Sequence, residues 1–134
     1  MGADPHRGLV ELRSNNWLQI SFLLAATGAT FFALAPAGLS PRLGTSDSVT
    51  HGLVFFGLAA FAAMCFPTAS LVRIWIGLAL LGGLIELLQG IPLLERGPSL
   101  TEWIVDMAAA GAALLCCRIG SVRAGSPDAD ATNR

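Results

Sequence analysis

The sequence predicts an all-α fold, a four-helix transmembrane bundle with both termini in the cytoplasm. Four apolar runs of membrane-spanning length alternate with short stretches rich in Pro, Gly and Ser. Charged residues make up only 13% of the chain, about half the fraction usual in a soluble domain, and hydrophobic residues reach 54%. The few ionisable residues inside the runs gather near the ends of three of them. Each would cost about 2.5–3.5 kcal/mol to insert at a helix centre, so their grouping calls for a structural or functional reason.

In chain order, residues 1–15 are polar, carry His6, Arg7 and Arg13, and read as a cytoplasmic tail. The first span runs over 17–35. Ala33-Leu34-Ala35 imitates a signal-peptidase site, but the apolar stretch is longer than a typical signal core. Pro36 would also follow the cut directly, so a retained helix is the expectation. Residues 36–46, with Pro36, Gly38, Pro41 and Gly44, form a loop. The second span covers 48–66 and stops at Pro67, the third covers 72–90, and the fourth covers 101–117. Residues 119–134, with Gly, Ser, Pro and Asp, read as a disordered cytoplasmic tail.

Arginine distribution sets the expected orientation. Arg7, Arg13, Arg73, Arg118 and Arg123 fall on one side, and Arg42 and Arg96 fall on the other. The richer side is cytoplasmic by the positive-inside rule. Trp17, Trp75 and Trp103 each stand at the start of a span, where aromatic side chains favour the membrane interface. The expected location is the plasma (inner) membrane, in several passes.

Composition also excludes functions. A net charge of −1 and the absence of lysine leave no basic stripe to neutralise nucleic-acid phosphates. Cys65, Cys116 and Cys117 all lie in apolar runs without Cys-x-x-Cys spacing, and read as small buried hydrophobes. No cofactor and no metal is expected.

With this topology the unusual polar residues share the outer side. Asp47 and His51 open the second span, Glu86 and Gln89 close the third, Arg96 lies in the loop, and Glu102 and Asp106 open the fourth. Asp47/His51 and Glu102/Asp106 are spaced i,i+4 and Glu86/Gln89 i,i+3, so each pair shares a helix face. Gly82 continues the Glu86–Gln89 stripe and permits close approach of a neighbouring helix. Ala109, Ala110 and Ala113 extend the Asp106 face with small residues. The simplest packing points the three polar pairs at one another.

This ordered set resembles the VanZ-like family of small multi-pass membrane proteins. That family's pattern reads approximately Asp-Lys-x-x-His-x-x-x-(Tyr/Phe), then Glu-x-x-Gln, then Arg, then Asp-x-x-x-(Asn/Asp) at the head of the last span. The chain supplies Asp47, His51 and Phe55, then Glu86 and Gln89, Arg96, and Asp106, over roughly residues 45–118. Ser48 replaces the usual lysine, and Glu102 stands where the family has aspartate. The family is named after a protein associated with teicoplanin resistance, so the resemblance implies a membrane location and a polar site more than a reaction.

Each residue also has a plainer role. Glu86 can bind ligand or handle protons, or it can clamp helices through His51, Gln89 or Arg96. His51 can be a general base or a metal ligand, but one histidine within the spans makes a zinc site weak, and a hydrogen-bonded histidine is expected. Ser99-Leu-Thr-Glu102 is a capping box, which favours a backbone role for Glu102. Asp106 is expected to pair with Arg96, and Arg96 otherwise suits a phosphate or carboxylate of a lipid-linked molecule. Glu95 reads as a solvated loop charge. The functional expectation is a binding or resistance module for a lipid-anchored, amphipathic or glycopeptide-like envelope molecule, among membrane lipids and with homo-oligomers possible. An intramembrane hydrolase or transferase using His51 as base, oriented by Asp47, with Glu86 as acid, is the alternative. A purely structural assembly protein is a third reading. Transport is disfavoured, because four spans lack a second repeat.

Overall fold

The structure, a computed structural model, describes residues 5–35, 46–94 and 97–124; the side chains of 5–15, 47, 93 and 122–124 are outside that description. All regular structure among the described residues is helical. The helices are α1 (Pro5–Leu34), α2 (Asp47–Cys65), α3 (Leu71–Gln89) and α4 (Leu100–Ala124), with a 3₁₀ turn at Pro92–Leu94 between the last two. Four stretches are long and apolar enough to cross a membrane: Asn16–Leu34, Ser48–Cys65, Leu71–Gln89 and Leu100–Ser121. The chain is a multi-pass α-helical membrane protein.

Two helices run further than the apolar pattern suggests. α1 begins at Pro5, so its backbone is helical through most of the stretch expected to be a tail. Proline suits a first helical position, where its missing N–H is not needed. α4 continues past Cys117 to Ala124, which corrects the expected disorder for residues 119–124. The Ser121 hydroxyl donates to Arg118 O at 2.8 Å, and no proline interrupts the helix before its end. A change from apolar to polar residues marks the end of a hydrophobic span, which need not be the end of a helix. The expected loop at 36–45, together with Glu95, Arg96 and the tail from 125, lies outside the described residues.

Cross-helix contacts define the topology. The Cys65 thiol at the end of α2 donates to Leu18 O in the first half of the α1 span, at 3.3 Å. Phe22 packs edge-on against Phe61 and Phe66, with ring centroids 6.0 and 5.5 Å away. These contacts make α1 and α2 antiparallel. The Trp75 indole on α3 donates to Met107 O on α4 at 3.1 Å, and Trp103 on α4 donates to Ala79 O on α3 at 3.0 Å. This reciprocal pair makes α3 and α4 antiparallel as well. Trp103 therefore sits between helices, whereas Trp17 is largely exposed.

The core lies along the α2–α4 contact and against α3. It contains Phe55, Leu58, Ala59, Leu78, Ile85, Met107, Ala110, Ala113 and Leu114. Its small residues let backbones approach closely. A Cβ on Gly52 would meet Val105 Cγ1 at 3.1 Å, and one on Gly82 would meet Trp103 at 3.2 Å and Phe55 at 3.3 Å. The exterior is the apolar side: Leu24, Phe31, Leu80 and Leu87 are among many large hydrophobics left exposed. Cys65 is fully buried, as expected, but Cys116 faces outward. α1 is peripheral, with most of its span surface exposed.

Replacing Gly82 with leucine is expected to destabilise the bundle by about 1–3 kcal/mol through overpacking. Gly77→Leu, on the same helix with nothing near its Cβ direction, serves as the control. Thermal unfolding in detergent micelles should separate the two, with Gly82→Leu melting lower and Gly77→Leu close to wild type.

Candidate functional site

The antiparallel order brings the end of α1, the start of α2, the end of α3 and the start of α4 to one end of the bundle. On α3 the buried residues are Leu78, Gly82, Ile85, Glu86 and Gln89, a single helical face directed inward. Glu86 and Asp106 retain 8% and 2% of their surface, and Gln89 2%. Three polar residues are thus buried in a bundle whose outside is hydrocarbon-like.

Their partners differ from those that local spacing suggests. The Ser99 hydroxyl accepts the Glu102 amide at 3.3 Å, forming one half of the capping box at the α4 start. The other half comes from another helix, because the Ser99 N–H donates to Glu86 Oε2 at 2.5 Å. Glu86 thereby satisfies a donor at the entrance to α4, a place where negative charge also opposes the helix dipole favourably. Glu102 then lies with its carboxylate near those of Glu86 and the His51 ring: one ligand-type atom from each of the three falls within 4.8 Å of the others.

Asp106, one turn deeper, approaches the histidine. Its Oδ2 lies 3.7 Å from His51 Nδ1, with side-chain exposures of 3% and 11%. This is ion-pair distance, longer than a direct hydrogen bond. The expected partner Arg96 and the side chain of Asp47 lie outside the described residues; among the described residues, His51 faces Asp106 on α4. Phe55, one turn further along α2 from His51, is buried in the core against Gly82.

Gln89 does something the sequence did not suggest. Its Nε2 donates to Ala33 O at 2.9 Å. Ala33 lies in the last turn of α1, so this bond ties the end of α1 to α3. The same half of the bundle carries a groove of about 380 Å³ between α1 and α3, lined by Leu23, Ala26, Thr27, Thr30, Phe31, Leu34 and Leu81. The Thr30 hydroxyl donates to Ala26 O at 2.8 Å, which leaves the groove wall largely apolar.

Among the described residues, two buried oxygens have no hydrogen-bond partner: Glu86 Oε1 and Asp106 Oδ1. An unmet buried acceptor costs about 1–3 kcal/mol, and more when charged. The site therefore combines two hydrogen-bonded ties (Glu86–Ser99, Gln89–Ala33) and an ion-pair contact (His51–Asp106) with two acceptors that no described residue meets. The fold and this cluster define the class, a multi-pass helical membrane protein with a buried acidic–imidazole site at one end of its bundle. No family model matches the chain, and no curated protein or solved structure matches it either.

Gln89→Leu removes the α1 clamp and leaves Ala33 O without its side-chain donor. The expected outcome is a loss of about 0.5–1.5 kcal/mol, with faster amide exchange confined to the last turn of α1. Unchanged exchange there would show that Gln89 does not hold the helix.

Proposed function

We propose that this chain is a VanZ-like protein of the plasma membrane whose cluster binds a lipid-anchored or amphipathic cell-envelope molecule. Both termini would be cytoplasmic and the site would lie on the outer side, as the arginine distribution suggests. The observation that carries the reading is the pair of buried acceptors, Glu86 Oε1 and Asp106 Oδ1, that have no partner among the described residues. A cluster that only clamps helices is more stable with its members satisfied, so acceptors left open favour a ligand that brings donors. Hydroxyl, amide or amine groups of an envelope precursor or glycopeptide-like molecule fit this need. Arg96 remains the proposed partner for an acidic group, and the groove between α1 and α3 offers an apolar wall for an acyl or aromatic part. A role in envelope maintenance or glycopeptide resistance follows from such binding.

A second reading is favoured by one contact. His51 facing Asp106 has the arrangement of an oriented general base, which suits a hydrolase or transferase with water or a ligand hydroxyl as nucleophile. Turnover of a labelled outer-leaflet lipid that disappears in His51→Ala would establish it.

Native mass spectrometry on protein extracted gently with its own lipids tests the binding reading. Wild type should carry a defined molecule that is lost from folded Glu86→Gln and weakened in Arg96→Ala. Absence of any specific adduct, with the variants changing oligomeric state, would make the cluster an assembly element.

A further inference from the structure

The ligand atoms of His51, Glu86 and Glu102 come from three different helices and lie within 4.8 Å of one another. A bound ion would draw these atoms in to metal–ligand distances of about 2.0–2.2 Å. Proximity of acidic groups alone would not single out a site. Here Glu86 is more than nine-tenths buried, its Oε2 is engaged by the Ser99 amide, and its other oxygen has no hydrogen-bond partner among the described residues. That oxygen belongs to a carboxylate directed into the cluster, where a cation would complete it.

The surroundings of His51 point the same way. Histidines that bind metals almost always direct their other ring nitrogen at a carboxylate or carbonyl, which fixes ring orientation and raises basicity. Asp106 Oδ2 lies on the Nδ1 side of His51 at 3.7 Å, so Nε2 is the nitrogen available for coordination.

We propose that His51, Glu86 and Glu102 form a binding site for one divalent cation, with Asp106 positioning the imidazole. The inference rests on the cluster's being a ligand site and names the occupant. One nitrogen and two oxygen ligands, with no thiolate, suit zinc or manganese: imidazole favours the first and carboxylates the second. Magnesium and calcium, which prefer oxygen alone, should bind more weakly. Ligands from α2, α3 and α4 would make the ion a cross-link between three helices, so binding and bundle stability are coupled.

The test uses the full chain in detergent, stripped with a chelator and titrated with Zn²⁺, Mn²⁺ and Mg²⁺, with Co²⁺ as a spectroscopic probe. The expected result is saturable binding of about one Zn²⁺ or Mn²⁺ per chain, a rise in melting temperature, and Co²⁺ ligand-field bands. Glu102→Gln, at a half-exposed position on the first turn of α4, should keep the fold and lose the bands, as should His51→Ala. Asp106→Asn should keep the stoichiometry but weaken affinity about 10–100-fold. Folded wild type that binds none of these ions saturably would overturn the proposal, as would binding that survives both His51→Ala and Glu102→Gln. A retained envelope molecule in protein that binds no cation would sink this inference alone. Cation binding without any retained molecule would support it and count against the envelope-molecule reading.

Discussion

The bond from the Ser99 amide to Glu86 Oε2 holds the end of the bundle where the polar residues meet. In hydrocarbon, backbone donors and acceptors have to be satisfied within the protein, and helix ends are where this is hardest. At the α3–α4 connection the requirement is met by a carboxylate from the preceding helix. Two features meet there: Glu86 is held at the α4 entrance while its second oxygen has no hydrogen-bond partner among the described residues, and the Glu102 carboxylate lies near the imidazole. One backbone amide thus draws its acceptor from the preceding helix and places that carboxylate in the cluster.

The rest of the molecule supports that arrangement. Trp75 and Trp103 bind α3 and α4 through reciprocal indole bonds to backbone carbonyls, which have a second lone pair to offer. Gly82 lets Phe55 and Trp103 close on α3 one turn before Glu86, and Gly52 does the same for α4 one residue after His51. Polar convergence therefore sits directly beside the closest helix packing. Rigid backbone there holds His51, Glu86 and Asp106 at fixed separations, as a binding site requires. α1 contributes less to the core and is tied to it through Gln89, Cys65 and Phe22.

Most of the architecture was legible in the sequence, because a membrane span is written in the length of an apolar run and its breakers. The expected convergence of rare polar residues is also seen: His51, Glu86, Gln89 and Asp106 share one end of the bundle, and Gly82 approaches its neighbours closely. Pairings were harder. Spacing reports which residues share a face but carries no information on which helix that face meets. Thus the capping box promised Glu102 to Ser99, while Glu86, 13 positions away, takes the amide. Asp106 was expected to meet Arg96, and among described residues it meets His51. Gln89 read as a site residue, and its amide serves the end of α1, a contact spanning 56 positions with no local signal. The helical extensions at Pro5 and Ala124 escaped notice for another reason, since polar residues end a hydrophobic span without ending a helix.

A site kept open at the expense of stability should gain stability when its purpose is removed, as replacement of buried charged groups by apolar ones often shows. The most direct measurement is the unfolding midpoint of the triple variant His51→Leu/Glu86→Gln/Asp106→Leu beside ligand-free wild type, both in the same detergent. The glutamine keeps an acceptor for Ser99 while the buried charges of these three residues are removed. A midpoint at or above that of wild type, with binding lost, is the predicted result. A markedly lower midpoint would contradict the account, because the cluster would then be stabilising the bundle rather than waiting for a ligand.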